Sequence, residues 1–121
     1  MEKTDAVTAL AALAQDNRLD VFRLLVQAGP DGMAAGAIAE TLELAPNTLT
    51  FHFDRLRFAG LVTVRRDGRS MIYAARYEAM NELVSFLTEN CCQGAPESCA
   101  PAAVCKPTGV RHEAVSRARR R

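Results

Sequence analysis

The 121-residue chain has no tryptophan, only two histidines and, before position 91, no cysteine. No stretch reaches the roughly 18 consecutive apolar residues that a membrane-spanning helix requires. The opening Met-Glu-Lys-Thr-Asp lacks a basic region followed by an apolar run, so no secretory signal is expected and the location is read as cytoplasmic. Enzyme chemistry has little to work with. No Cys-X-X-Cys precedes a helix, no phosphate-cradling loop is evident, and no general base stands beside the cysteines. A thiol oxidoreductase or an arsenate reductase is therefore disfavoured, and no enzymatic activity is expected.

What is present is an ordinary globular composition, 49% hydrophobic and rich in Ala and Leu, of a length suited to one domain. The net charge of +1 hides an uneven distribution. Lys106, Arg111, Arg117, Arg119, Arg120 and Arg121 face a single Glu113 at the C-terminal end, which leaves the body mildly acidic. A basic tail can meet a polyanion, although such a run is more often a solvated, disordered end. The acidic body could hold nucleic acid only through locally grouped basic side chains.

The spacing of apolar residues predicts a helix over 5–15 (Val7, Leu10, Ala11, Ala14), then a break and cap at Asp16-Asn17. A second helix carries Leu19, Phe22, Leu25 and Val26, and the run 28–32, with Gly29, Pro30 and Gly32, stops it. A third helix is expected over 34–42 and, after a short turn, a fourth over 46–59 opened by Pro46. The period then changes to strand-like at 61–64 and 71–75 around an Asp-Gly turn. A final helix is expected over 77–90, its stripe of Met80, Leu83, Val84 and Leu87 running on to Cys91.

This order, α-α-α-α-β-β-α, describes a mainly helical domain with a small β-hairpin: a winged helix-turn-helix over residues 1–92. Residues 93–121 form a cysteine-containing loop and the basic tail. In such a fold the fourth helix is the one that enters the major groove of DNA. Leu49, Phe53 and Leu56 should face the core, which leaves Asn47, Thr48, Thr50 and Phe51 near the reading end. Asn bonds adenine in bidentate fashion, Thr meets bases or phosphates, and an apolar group rests against a thymine methyl. Arg55 and Arg57 can reach phosphates, as can Arg65, Arg66 and Arg69 around the hairpin tip. His52 is read either as a packing histidine bonded to backbone or as a DNA contact.

Four segments carry a resemblance: the run from Ala9 to Leu19, Asn47-Thr48-Leu49-Thr50-Phe51-His52-Phe53, Ala59-Gly60-Leu61-Val62, and Arg66-Asp67-Gly68-Arg69. In this order and spacing, residues 5–92 resemble the arsenical-resistance (ArsR/SmtB) family of repressors. The resemblance implies a homodimer joined through the first and last helices, double-stranded operator DNA as partner, and release when a metal or metalloid binds. The family's frequent Cys-Val-Cys site on the third helix is absent here, where Met33 to Glu40 offers no thiol. The Asp/His pairs of zinc-sensing relatives are absent too.

The remaining donors are Cys91, Cys92, Cys99 and Cys105. Some members of the family carry adjacent cysteines at the end of the last helix and another a few residues on, as the arsenite site. The resemblance therefore implies Cys91, Cys92 and Cys99 as ligands for As(III) or Sb(III), with Cys105 as an alternative third donor. Thiolates favour such thiophilic ions, and no organic cofactor is implied. A regulatory disulfide, a thiol-redox sensor, an organoarsenical site on two thiols, and a zinc site stay open as alternatives.

Overall fold

The computed structural model describes residues 1–94. Five helices run α1 (Lys3–Leu13), α2 (Asp16–Ala28), α3 (Ala35–Leu42), α4 (Pro46–Phe58) and α5 (Tyr77–Leu87). A three-stranded antiparallel sheet has the order β1 (Met33–Ala34), β3 (Ser70–Ala75), β2 (Val62–Asp67). This is the winged helix-turn-helix expected from the sequence, with one strand more. β1 is only two residues long, too short to show alternation, and it pairs Met33 with Tyr73 and Ala34 with Ile72. The third helix accordingly begins at Ala35, one residue later than its spacing predicts.

Gly32 makes that third strand possible. Its φ of +77° is unfavourable for any other residue, and a Cβ there would collide with the carbonyl oxygen of Tyr73. The chain can approach β3 closely enough to pair only with no side chain at this point.

The core lies where α2, α3 and α4 meet the sheet, around the fully buried Val21, Leu25, Ile38, Leu49, Leu56 and Leu61. Each such aliphatic side chain contributes about 2 kcal/mol by leaving water. Tyr73 of β3 stacks on Phe53 of α4, ring centroids 3.6 Å apart and planes 13° from parallel, and fixes the hairpin to that helix. The Tyr77 hydroxyl at the start of α5 donates to the carbonyl of Val26 (2.8 Å), near the end of α2. That carbonyl belongs to the last turn, which has no helical partner of its own.

Several sequence-based boundaries shift for identifiable reasons. α1 starts at Lys3, where the Glu2 backbone N–H donates to the Asp5 carboxylate (3.2 Å), and it ends at Leu13. Its inward face is Ala6, Ala9 and Ala12, not the expected stripe, and Val7 and Leu10 are exposed. The cap of α2 is Gln15, whose side chain accepts from the Arg18 N–H (3.0 Å), in place of Asp16-Asn17. Leu19 is exposed, and Val21 and Leu24 join Phe22 and Leu25 inside. The β2–β3 strands extend farther, to Asp67 and Ser70, so Arg65 and Arg66 are strand residues and the loop is Gly68-Arg69.

α5 ends at Leu87, three residues short of the expected Asn90. The chain then enters a tight turn in which Asn90, Cys92 and Gln93 have φ of 58°, 55° and 55°. Asn tolerates the left-handed region, but Cys92 and Gln93 there cost about 1–2 kcal/mol each. The stripe on α5 therefore does not continue to Cys91, and Leu87 itself is exposed. Among the described residues, no helix is long and apolar enough to cross a membrane.

Candidate nucleic-acid interface

Leu49, Phe53 and Leu56 anchor α4 in the core as their i, i+4, i+7 spacing predicts. The opposite side of its first turn is then left to solvent, and Asn47, Thr48 and Thr50 are all exposed. Pro46 occupies the first helical position, where its missing N–H is not needed. The Thr50 hydroxyl donates to the Pro46 carbonyl (3.0 Å), so its remaining capacity is as an acceptor. The side-chain amide of Asn47 offers both donor and acceptor at the same edge.

Phe51 follows one turn on from Asn47 and is exposed as well. Its ring meets His52 edge-on at 5.7 Å and lines a cavity between α4 and α1. Arg55 lies over the Phe51 ring, 5.1 Å from its centroid, which holds the guanidinium at the helix surface. Arg57 sits in a surface ion pair with Asp54 at 3.9 Å.

In the hairpin, Gly68 supplies the positive φ (+64°) that opens a two-residue loop. Arg65 pairs with Ile72 and Arg66 with Met71, and neighbouring strand residues point to opposite faces. Arg65 is committed to one of them: its Nη1 donates to the Asp31 carbonyl (3.2 Å) in the α2–β1 loop. Arg66 points to the other face, and Arg69 stands at the tip; both are exposed. The three arginines grouped by sequence are thus divided by the pleat.

His52 is buried, with 5% exposure. Its Nδ1 lies 3.3 Å from Arg18 Nη1, and since a guanidinium only donates, Nδ1 accepts. The partner is a side chain from α2 and not the backbone group expected for a packing histidine. Burial, and then the Arg18 charge, lower its pKa below the ordinary value of 6.5. Arg18 also donates through Nε to the Ala12 carbonyl (2.6 Å), so one side chain joins α1, α2 and α4.

Cys91 is half-buried and Cys92 exposed, in the left-handed turn beyond α5. Cys99, Cys105, His112 and the basic tail lie outside the described residues. Among the described residues, no group of three or more His, Cys, Asp or Glu side chains is placed to hold a metal ion.

Comparison with known proteins agrees with this geometry. A helix-turn-helix domain family matches residues 13–65. The nodulation protein NolR of Rhizobium meliloti is 31% identical over 80 residues, 66% of this chain and 63% of NolR, so the chain spans less than two thirds of that relative. The structure of HlyU from Vibrio cholerae is 32% identical, covers 72% of this chain and 97% of HlyU, and superposes with a TM-score of 0.58. The chain belongs to the ArsR-like winged helix-turn-helix regulator family.

The fold is shared with further solved structures. The homodimeric winged helix-turn-helix DNA-binding domain Mb0332 of Mycobacterium bovis shares it at 24% identity, 72% of this chain and 81% of that one, TM-score 0.59. A further HlyU structure, of the reduced protein, matches at 27% identity over 74% of this chain and 92% of HlyU, TM-score 0.58. The regulator's Arg18 escaped the sequence reading, because an arginine in the first turn of a surface helix carries no signal of its long-range partner. Tyr73 was legible only as a strand residue, since its stacking on Phe53 depends on tertiary packing.

Proposed function

We propose that this regulator is a homodimeric repressor that binds operator DNA and releases it when As(III) or Sb(III) is bound by Cys91, Cys92 and Cys99. The observation that carries the DNA-binding part is the first turn of α4, where Asn47, Thr48 and Thr50 are exposed while the same helix is anchored by Leu49, Phe53 and Leu56. Asn47 reads base edges, Thr48 and Thr50 assist, and Arg55, Arg66 and Arg69 neutralise phosphates. Arg65 steadies the wing from its other face.

Dimerisation is supported by the apolar residues that α1 and α5 leave on the protomer surface: Val7 is 59% exposed, Leu10 41% and Leu87 58%. The homodimeric state of Mb0332 is in keeping with this. A two-fold axis through these helices would set the two reading helices about 34 Å apart, one turn of DNA.

The inducer reading rests on the chain's own thiols, since the names NolR and HlyU point to no metalloid. Two adjacent soft donors, Cys91 half-buried and Cys92 exposed, stand in the left-handed turn a few residues after α5, and a third follows in the sequence at Cys99. Trivalent arsenic takes three thiolates. Drawing Cys99 towards Cys91 and Cys92 would rearrange the turn and, with it, the end of α5 at the dimer face. By linkage DNA and metalloid then disfavour each other, and a coupling of about 3–5.5 kcal/mol moves the dimer from mostly bound to mostly free. The reduced form of HlyU favours a second reading, in which the same thiols respond to oxidation. An operator obtained by in vitro selection, titrated in parallel with arsenite, antimonite, zinc and peroxide, tests both: release by arsenite or antimonite supports the first reading, and release by peroxide alone replaces it with the second.

A further inference from the structure

The cavity between α1 and α4 has a volume of about 540 Å³, within the range of small-molecule pockets. Its wall is mostly apolar, with Val7 from α1 and Phe51 and Phe58 from α4. Phe58 is 88% exposed at the mouth, an unusual place for an aromatic ring on a polar helix face. Set into this wall are Arg18, Arg55 and His52, and no carboxylate lines the cavity.

The polar groups are donors with capacity to spare. Arg18 uses Nε on Ala12 and Nη1 on His52, which leaves Nη2 without a hydrogen-bond partner among the described residues. Because His52 Nδ1 accepts, the neutral ring carries its proton on Nε2, and that buried N–H has no hydrogen-bond partner among the described residues. A buried donor left unmade costs about 1–3 kcal/mol. Of the wall's side-chain acceptors, the Gln15 oxygen takes the Arg18 N–H, while the Thr8 hydroxyl donates to the Thr4 carbonyl and keeps its acceptor capacity.

We infer that this cavity is a binding site for a small carboxylate with an apolar body, its anionic end on Arg18, Arg55 and His52 and its body along Val7, Phe51 and Phe58. A carboxylate supplies the negative charge that the wall lacks and strong acceptors for its cationic donors. The aromatic pair offers the surface against which a ring or branched chain is removed from water. The site lies on the α1 side of α4; it uses none of the thiols, and it shares Arg55 with the proposed phosphate contacts and Val7 with the proposed dimer face.

The test is a nuclear magnetic resonance titration of the ¹⁵N-labelled full chain with 3-phenylpropionate, and with the uncharged 3-phenylpropanamide as control. Saturable shifts are expected at the amides of Thr8, His52 and Phe58, with the amide compound binding at least tenfold more weakly. Phe58→Glu, a change at a solvent-exposed position that keeps the fold, places a carboxylate at the mouth and should weaken 3-phenylpropionate at least tenfold, whereas Phe58→Leu should retain it. Equal binding of acid and amide, shifts confined to another surface, or an unaffected Phe58→Glu protein would each overturn the assignment. So would the absence of saturable binding, and a shift of Phe58→Glu to monomer in sedimentation would then make the cavity a subunit contact.

Discussion

The Arg18 guanidinium and the His52 imidazole stand 3.3 Å apart and tie the first turn of α2 to the middle of α4. The contact requires a neutral histidine. Burial and the neighbouring guanidinium hold its native pKa below 6.5, so the native state binds fewer protons than the unfolded chain once the pH falls under that value. Stability from this site is complete above about pH 6.5 and is lost as the pH falls through the lowered native value. Urea unfolding midpoints should therefore drop between pH 7.5 and 5.5 in the wild type. His52→Asn, which keeps an acceptor and cannot be charged, should flatten that drop.

Replacing Asn47 by Ala should weaken binding to a selected operator about tenfold or more, in line with about 1–3 kcal/mol for a bidentate base contact. Affinity for random DNA should hardly change. Fluorescence anisotropy on both duplexes separates the two effects.

The divided arginines of the wing give a different signature. Arg66→Ala and Arg69→Ala should each reduce the slope of log affinity against log salt by about one, as expected for a lost phosphate contact. Arg65→Ala should leave that slope alone and lower the melting temperature instead, because its guanidinium serves the Asp31 carbonyl.

Serine at Cys91 or at Cys92 should preserve operator binding and abolish release by arsenite in a mobility-shift titration. Serine at Cys105 should have little effect. Normal release from either of the first two variants would remove the thiol assignment while leaving DNA recognition untouched.

Gly32→Ala should destabilise the domain by about 2–4 kcal/mol, the combined cost of a positive φ and a clash with the strand it must join. Thermal unfolding followed by circular dichroism measures it. The same substitution at the exposed Gly36, where a Cβ would meet nothing, should be neutral or stabilising.

The buried face of α4 was legible in the sequence because Leu49, Phe53 and Leu56 are large, apolar and spaced for a single helical face. α1 was less so. Alanine sits comfortably inside or outside, and the larger Val7 and Leu10 drew the expected stripe to the surface that the protomer leaves open. β1 could not be seen at all, since two residues define no period and its pairing is granted by Gly32 some forty residues away from Tyr73. The hairpin arginines were found as a cluster, but which face each one serves depends on strand register, and the register extends past the apparent turn. Cys91 read as the end of a helix because the left-handed turn that precedes and follows it is made by Asn90, Cys92 and Gln93, none of them glycine.

Tyr77 and Arg18 hold opposite ends of one rod. Tyr77 fastens α5 to the carbonyl of Val26, and Arg18, two turns and more back along α2, fastens the other end to His52 on α4. A thirteen-residue helix is about 20 Å of nearly rigid material. Two side-chain contacts thus bolt α5 and α4 to the same rigid part, and Tyr77→Phe or Arg18→Gln should each remove one bolt and lower the melting temperature.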